Sequence, residues 1–148
     1  LAMINFSSKN SRPLRDLVAG FEDGTLPREE WTHAAHLTMA LWYLVNYPDD
    51  TESVRRIRDG IKHYNAAVGV VSTPTSGYHE TLTLFYIRTM KRFLETATSG
   101  LPTESLVETM LESDIAGREY PLRFYTKERL FSPEARAAWA EPDICALD

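Results

Sequence analysis

Apolar residues recur at steps of three and four along nearly the whole chain, which is the spacing of an α-helix. The run from Trp31 to Tyr47 is apolar on almost every side, a pattern typical of a central helix that neighbours surround. Strand-like alternation is missing, although Val68–Ser72 is long enough for a short extended piece. The pattern predicts six helices, over 12–21, 31–47, 52–67, 78 or 79 to 98, 102 or 103 to 113, and 132–140.

Two segments interrupt this helical pattern. Turn-forming residues cluster at Thr73-Pro74-Thr75-Ser76-Gly77 and predict a long loop before the fourth helix. Loops of this length in compact domains are more often functional than not. After Gly117 the chain becomes aromatic and charged, which predicts an irregular tail. The predicted fold is therefore all-α: one domain over 1–148, a bundle of five to six helices with an irregular aromatic C-terminal tail.

Length and charge narrow the class of partner. A chain of 148 residues fits one domain, and its net charge of −5 lacks the cationic field of a nucleic-acid binder. No run approaches eighteen apolar residues, so no membrane partner is expected. Residues 1–10 do not show the pattern of a signal peptide, and Cys145 is a lone thiol that we expect to be buried. These features predict a cytoplasmic protein.

Three of the four histidines stand where they can share a site. His33 and His36 lie about 60° apart around the predicted central helix, among small and apolar neighbours. His79 comes at the start of the fourth helix, directly before Glu80. Apolar surroundings lower the pKa of histidine and favour the neutral form that binds metals. Three such histidines with one carboxylate would suit zinc, iron or nickel with an open coordination position. The fourth, His63, follows Lys62 on an arginine-rich helix, and these charged surroundings predict a surface residue or one with a generic packing role.

Three interpretations of these histidines stay open. In the first, His33, His36 and His79 hold a metal, and Glu80 takes a proton from bound water in hydrolysis or hydration of a small substrate. In the second, the same histidines line a metal-free polar pocket that binds a small-molecule ligand. In the third they are structural and hydrogen-bond to carbonyls or to tyrosines such as Tyr43, Tyr64 and Tyr86. The candidate residues of the pocket wall are Trp31, Tyr64, Asn65 and Tyr78.

Standard metal motifs do not account for the pattern. A zincin helix would need a histidine at position 83, where this chain has Thr83. A di-iron bundle needs two Glu-x-x-His pairs, and only Glu30 with His33 forms one. One cysteine is too few for a structural zinc finger. What remains is a less common mononuclear site or a site without metal.

Arginine outnumbers lysine, and part of this excess lies in the aromatic tail. Arg118, Arg123 and Arg129 stand there among acidic neighbours such as Glu119 and Glu128. Guanidinium groups pair with carboxylates in a two-pronged geometry and tolerate partial burial. These arginines therefore either seat an acidic ligand or lock the tail onto the bundle, and locking is the favoured interpretation.

Several stretches resemble the hallmark sequences of a family of small bacterial proteins with no assigned function. They are Trp31-Thr32-His33-Ala34-Ala35-His36-Leu37, Tyr64-Asn65, Gly77-Tyr78-His79-Glu80-Thr81-Leu82-Thr83, and the ending from Tyr125 to Arg136. The resemblance covers about residues 21–143. It brings no known activity, so the predicted site depends on chemistry alone.

Overall fold

The computed structural model describes residues 13–147, which form one all-α domain. Five longer helices make up the bundle: α1 (Leu14–Asp23), α2 (His33–Asn46), α3 (Asp50–Ala67), α4 (Glu80–Thr96) and α5 (Thr103–Leu111). The C-terminal part adds the short helices α6 (Lys127–Leu130) and α7 (Pro133–Ala137). Three 3-10 turns lie at Arg28–Glu30, Asp114–Ala116 and Tyr120–Arg123. Within 13–147 every helix is too short or too polar to cross a membrane.

The predicted helices are confirmed, with ends that differ by a few residues. Arg12, where the first predicted helix begins, lies outside the described residues. Val68–Ser72, considered above for a short extended piece, forms no strand, and within residues 13–147 the only bridge is an isolated one between Thr73 and Ser76. The tail is more regular than predicted, because two of the 3-10 turns and two short helices lie in or next to it.

Helix α2 is the centre of the bundle, as its apolar pattern predicts. It packs against α1, α3, α4 and α5. Leu37, Leu41 and Leu44 are buried on one face of this helix, and Met39 is buried on the opposite face. Each fully buried side chain of this size stabilises the fold by roughly 2 kcal/mol. This packing fixes the position of the histidines in its first two turns.

An aromatic cluster joins α1 to α3 beside those histidines. The ring of Phe21 stacks on Trp31 and on Tyr64, with centroid distances of 4.9 and 5.8 Å. The fully buried Tyr64 donates its hydroxyl to the carbonyl of Leu26 at 2.7 Å. On α3, a Cβ at Gly60 would come within 2.8 Å of the Phe21 ring, so glycine is needed for this close approach.

The C-terminal tail wraps across the first turn of α4. Thr81 donates its hydroxyl to the carbonyl of Ala138 and accepts the N–H of Ala140, both at 3.0 Å. Tyr125 is fully buried against Phe85 and donates to the carbonyl of Ala140 at 2.7 Å. Cys145, expected to be buried, is exposed beyond this contact. The location in the cytoplasm stays a prediction.

The contacts of these arginines do not lock the tail onto a helix of the bundle, because Arg123 and Arg129 bond residues of the tail or of the turn next to it. Arg123 bonds Asp114 at 3.2 Å and lies over the ring of Tyr120. Arg129 donates to the carbonyl of Glu141 at 2.7 Å. Arg118 makes neither kind of bond and lies at the cavity described next.

Candidate functional site

A cavity of about 490 Å³ lies between α2, α3 and the start of α4. This volume is within the range of pockets that hold small organic ligands. Six of the predicted site residues line it: His33, His36, His79, Trp31, Asn65 and Tyr78. A second cavity, of about 570 Å³, lies against α4 and the tail, and none of the predicted site residues lines it. Six of the eight predicted site residues therefore converge on the first cavity.

His36 is the histidine best placed to meet a ligand. Its Nδ1 lies 2.7 Å from the carbonyl oxygen of Thr32, one turn earlier. Because a carbonyl only accepts, Nδ1 carries the proton, and the lone pair of a neutral ring is on Nε2. Nε2 has no hydrogen-bond partner within residues 13–147, and the residue is accessible to water-sized molecules through the cavity.

The surroundings of His36 keep it neutral. The indole of Trp31 covers one face of its ring, with centroids 3.8 Å apart. The His36 side chain is exposed to solvent, but the protein atoms packed around the ring displace part of the water that would stabilise its charged form, and this desolvation lowers the pKa of His36 to about 4. The nearby charges of Arg118 and of a protonated His33 lower the pKa further. The imidazole is therefore an uncharged acceptor at neutral pH.

His33 also donates one ring N–H to a backbone carbonyl, but from Nε2 where His36 donates from Nδ1. Its Nε2 donates to the carbonyl of Ala116 at 3.0 Å, across 83 positions of sequence. Its ring meets Tyr86 edge to face, with centroids 5.8 Å apart. Burial lowers the pKa of His33, more than the bond to Ala116 raises it. His33 thereby fastens α2 to the turn after α5 while one edge lines the cavity.

His79 is a structural residue at the start of α4. Its Nδ1 accepts the N–H of Leu82 at 3.1 Å, which is the helix cap that serine or asparagine usually supplies. Its Nε2 donates to the carbonyl of Leu130 at 2.7 Å and so holds the tail. Both ring nitrogens are used, and burial lowers the pKa of His79. The third interpretation fits this histidine.

Glu80 points to an ion pair beside the cavity and is not among the lining residues. Arg58 donates to its two oxygens at 3.0 and 2.6 Å, and the Tyr78 hydroxyl donates at 2.7 Å. Burial alone raises the pKa of Glu80, but the hydrogen bonds from Arg58 and Tyr78 outweigh it, and the pKa is lowered. A carboxylate held in this way is a weak proton acceptor, so the geometry does not support the predicted acid–base role.

The candidate residues of the wall divide into three that line the cavity and one that does not. Trp31, Asn65 and Tyr78 line it, each from a different segment. Tyr64 is fully buried in the core next to Trp31, and its hydroxyl is used by Leu26. The expectation that Tyr64 forms part of the wall is corrected accordingly: it supports Trp31 from behind.

The described histidines do not form the expected metal-ligand set. Among residues 13–147, no three histidine, cysteine, aspartate or glutamate side chains are grouped so that they could hold an ion. His79 offers no free nitrogen, and Glu80 is bound to Arg58. Binding of zinc, iron or nickel stays a prediction, and no step below depends on it.

Two further residues of the cavity lie beyond the predicted site. Tyr86 follows His79 by seven positions, a separation of two helical turns that places both on one face of α4. That spacing could have indicated it as a wall residue. Arg28 precedes the Trp31 motif in a 3-10 turn, and nothing in its local pattern indicates the cavity.

Comparisons with known proteins give no evidence about function, so the proposal below depends on the geometry of the cavity. No family model, curated protein or solved structure matches the chain. The resemblance to a family of small bacterial proteins therefore stays a prediction.

Proposed function

We propose that this protein binds a small organic molecule in the 490 Å³ cavity and that Nε2 of His36 accepts a hydrogen bond from it. The observation that carries the proposal is the fixed tautomer of His36: Thr32 holds the Nδ1 proton, and the acceptor nitrogen has no protein partner in the described structure. An accessible acceptor nitrogen without a protein partner can pair with water or with a ligand that donates a hydrogen bond.

The wall favours an organic ligand over a hydrated ion. Aliphatic side chains from three elements line much of the cavity, including Leu37, Ile57 and Leu82. The rings of Trp31 and Tyr78 add flat apolar surface with polar edges. A few polar groups in a mostly apolar concavity are typical of small-molecule sites.

The low pKa of His36 fits a role in ligand binding better than a role in proton transfer. A general base works best when its pKa is near the working pH, and the pKa of His36 is about 4. At pH 7 such a histidine accepts hydrogen bonds well but takes up a proton weakly. With Glu80 bound to Arg58, the cavity wall supplies no stronger base from a carboxylate in the described residues.

A fragment screen by ligand-observed NMR tests the proposal. We expect fragments that carry a hydrogen-bond donor to bind the wild type. Ala40→Phe, which fills the cavity one turn from His36, should abolish this binding. His36→Phe should weaken it while keeping a ring against Trp31. His63→Phe is the matched control, because His63 is exposed and lies outside the cavity.

Two results would contradict the proposal. One is a screen without hits on a wild-type protein that melts cooperatively. The other is a set of hits that bind folded Ala40→Phe as well as they bind the wild type. Circular dichroism melts of each variant distinguish loss of binding from loss of fold.

A further inference from the structure

The ionisable residues of the cavity wall are unusual for an acidic chain. The chain has 21 aspartates and glutamates against 16 lysines and arginines. The described part of the wall nevertheless contains no aspartate or glutamate, while Arg28 and Arg118 both line it. The histidines beside them are donors or neutral acceptors. The cavity is thus a locally cationic site in a protein of opposite overall charge.

Arg28 and Arg118 also differ from the other described arginines in their contacts. The others each meet a carboxylate, a carbonyl, an aromatic ring or another partner. Within residues 13–147, the guanidinium groups of Arg28 and Arg118 make no hydrogen bond, ion pair or ring contact. Both are exposed and free to turn toward a ligand.

The positive charge of Arg118 affects the two histidines of α2 that line the cavity. It follows the turn whose Ala116 carbonyl holds His33, and its positive charge contributes to the lowered pKa of His33 and of His36. Glu119, its sequence neighbour, is exposed, lies outside the wall and offsets part of this effect on His33. A guanidinium placed in this way can bind a carboxylate through two parallel hydrogen bonds.

We propose that the ligand is a small carboxylate with an apolar body, held at its charged end by Arg118 and Arg28. The apolar body packs against Leu37, Ile57 and Leu82, and a hydroxyl on that body donates to Nε2 of His36. This assignment rests on the proposed function, since it names the class of molecule that the same cavity binds. It explains why the unpaired cations and the unpaired acceptor share one wall.

A series of probes that differ in charge tests the assignment by isothermal titration calorimetry. The probes are 4-hydroxyphenylacetate, its uncharged amide and the cation tyramine, with phenylacetate as the probe that lacks the hydroxyl. We expect the carboxylate to bind about tenfold more tightly than the amide, as a charge-assisted pair predicts. Tyramine should bind most weakly, and added salt should weaken carboxylate binding.

Arginine variants test which residues cause the preference for the carboxylate over the amide. Arg118→Gln should weaken 4-hydroxyphenylacetate about tenfold and leave the amide unchanged, with a smaller change of the same kind for Arg28→Gln. Arg15→Gln is the matched control, because Arg15 is exposed beside Asp16 and lies outside the cavity.

The outcomes separate this assignment from the proposed function. Equal affinity for carboxylate and amide, or no change in Arg118→Gln, would overturn the carboxylate class and leave cavity binding intact. Fragment hits in the cavity without binding of any of the four probes would overturn the class in the same way. An absence of all binding, fragments included, would overturn both.

Discussion

The indole of Trp31 lies against the imidazole of His36, with ring centroids 3.8 Å apart. Behind it, Phe21 stacks on Trp31 and Tyr64 meets it with a tilted ring, and these contacts connect Trp31 to α1 and α3. The position of the His36 ring thus depends on a chain of aromatic contacts that begins in the core. Trp31 is consequently expected to affect both stability and binding.

We predict that Trp31→Ala lowers the free energy of unfolding by about 2 kcal/mol, because it removes a half-buried ring that three aromatic side chains contact. Trp31→Phe should lose less than about 1 kcal/mol, since it keeps a stacked ring. Urea unfolding followed by circular dichroism measures both. If Trp31→Ala were as stable as the wild type, the aromatic contacts of Trp31 would not contribute to the stability of the fold.

Glu80 is predicted to be a structural residue. Its side chain is 15% exposed and that of Arg58 is 32% exposed, so Glu80→Gln should lower the free energy of unfolding by about 2 kcal/mol, between the values for surface and buried pairs. Binding of 4-hydroxyphenylacetate should stay within about twofold of wild type. Glu52→Gln, in the more exposed pairs with Arg55 and Arg56, is the control and should lower the free energy of unfolding less than Glu80→Gln does.

The reverse pattern would restore the acid–base role of Glu80. A Glu80→Gln protein that unfolds like the wild type but no longer binds the probe is incompatible with a purely structural ion pair.

His79 joins the cap of α4 to the tail, and two variants separate these contacts. His79→Ala removes both and should lower the free energy of unfolding by about 2 kcal/mol. His79→Asn can restore the cap at Leu82 but is too short to reach Leu130, so about half of the loss should remain. Limited proteolysis measures release of the tail: cleavage within 131–140 should be faster in both variants. Unchanged cleavage would contradict tail docking through His79.

Stability should fall as the pH decreases from 7 to 5. Desolvation lowers the pKa of His36 to about 4, and the pKa values of His33 and His79 are also lowered. Between the ordinary histidine pKa and these values, the unfolded chain binds more protons than the folded one, so acid favours unfolding. At pH 7 the histidines are neutral in both states, and the effect vanishes. Urea unfolding at pH 7, 6 and 5 measures the slope.

The contribution of His36 to this slope is tested by His36→Phe, which should be less sensitive to pH over the same range. Identical slopes in the wild type and in His36→Phe would show that folding does not lower the pKa of His36.

Local pattern predicted the helices well, because spacing decides which face of a helix is apolar. It also placed His33 and His36 on one helix and, from their apolar neighbours, anticipated neutral rings. The exposed state of His63 followed from its charged surroundings in the same way. Predictions that depend on neighbours within one or two turns were therefore reliable here.

The predictions that depended on distant partners were less successful. His79 is held by the carbonyl of Leu130, and Glu80 by Arg58, which are 51 and 22 positions away. The residue type does not show which backbone carbonyl a side chain will meet, so the sequence left the structural role of His79 as one of three interpretations. Tyr64 was expected in the wall together with Asn65, but its ring lies on the core side of Trp31.

The central measurement is the side-chain ¹⁵N spectrum of the histidines during titration with 4-hydroxyphenylacetate at pH 7. Before addition, His36 should show a protonated Nδ1 and an unprotonated Nε2, as its bond to Thr32 requires. On addition, the Nε2 resonance should move with saturation while the resonances of His63 stay fixed. A His36 signal with Nε2 protonated, or one that does not respond while fragments bind elsewhere on the protein, would contradict binding at this cavity.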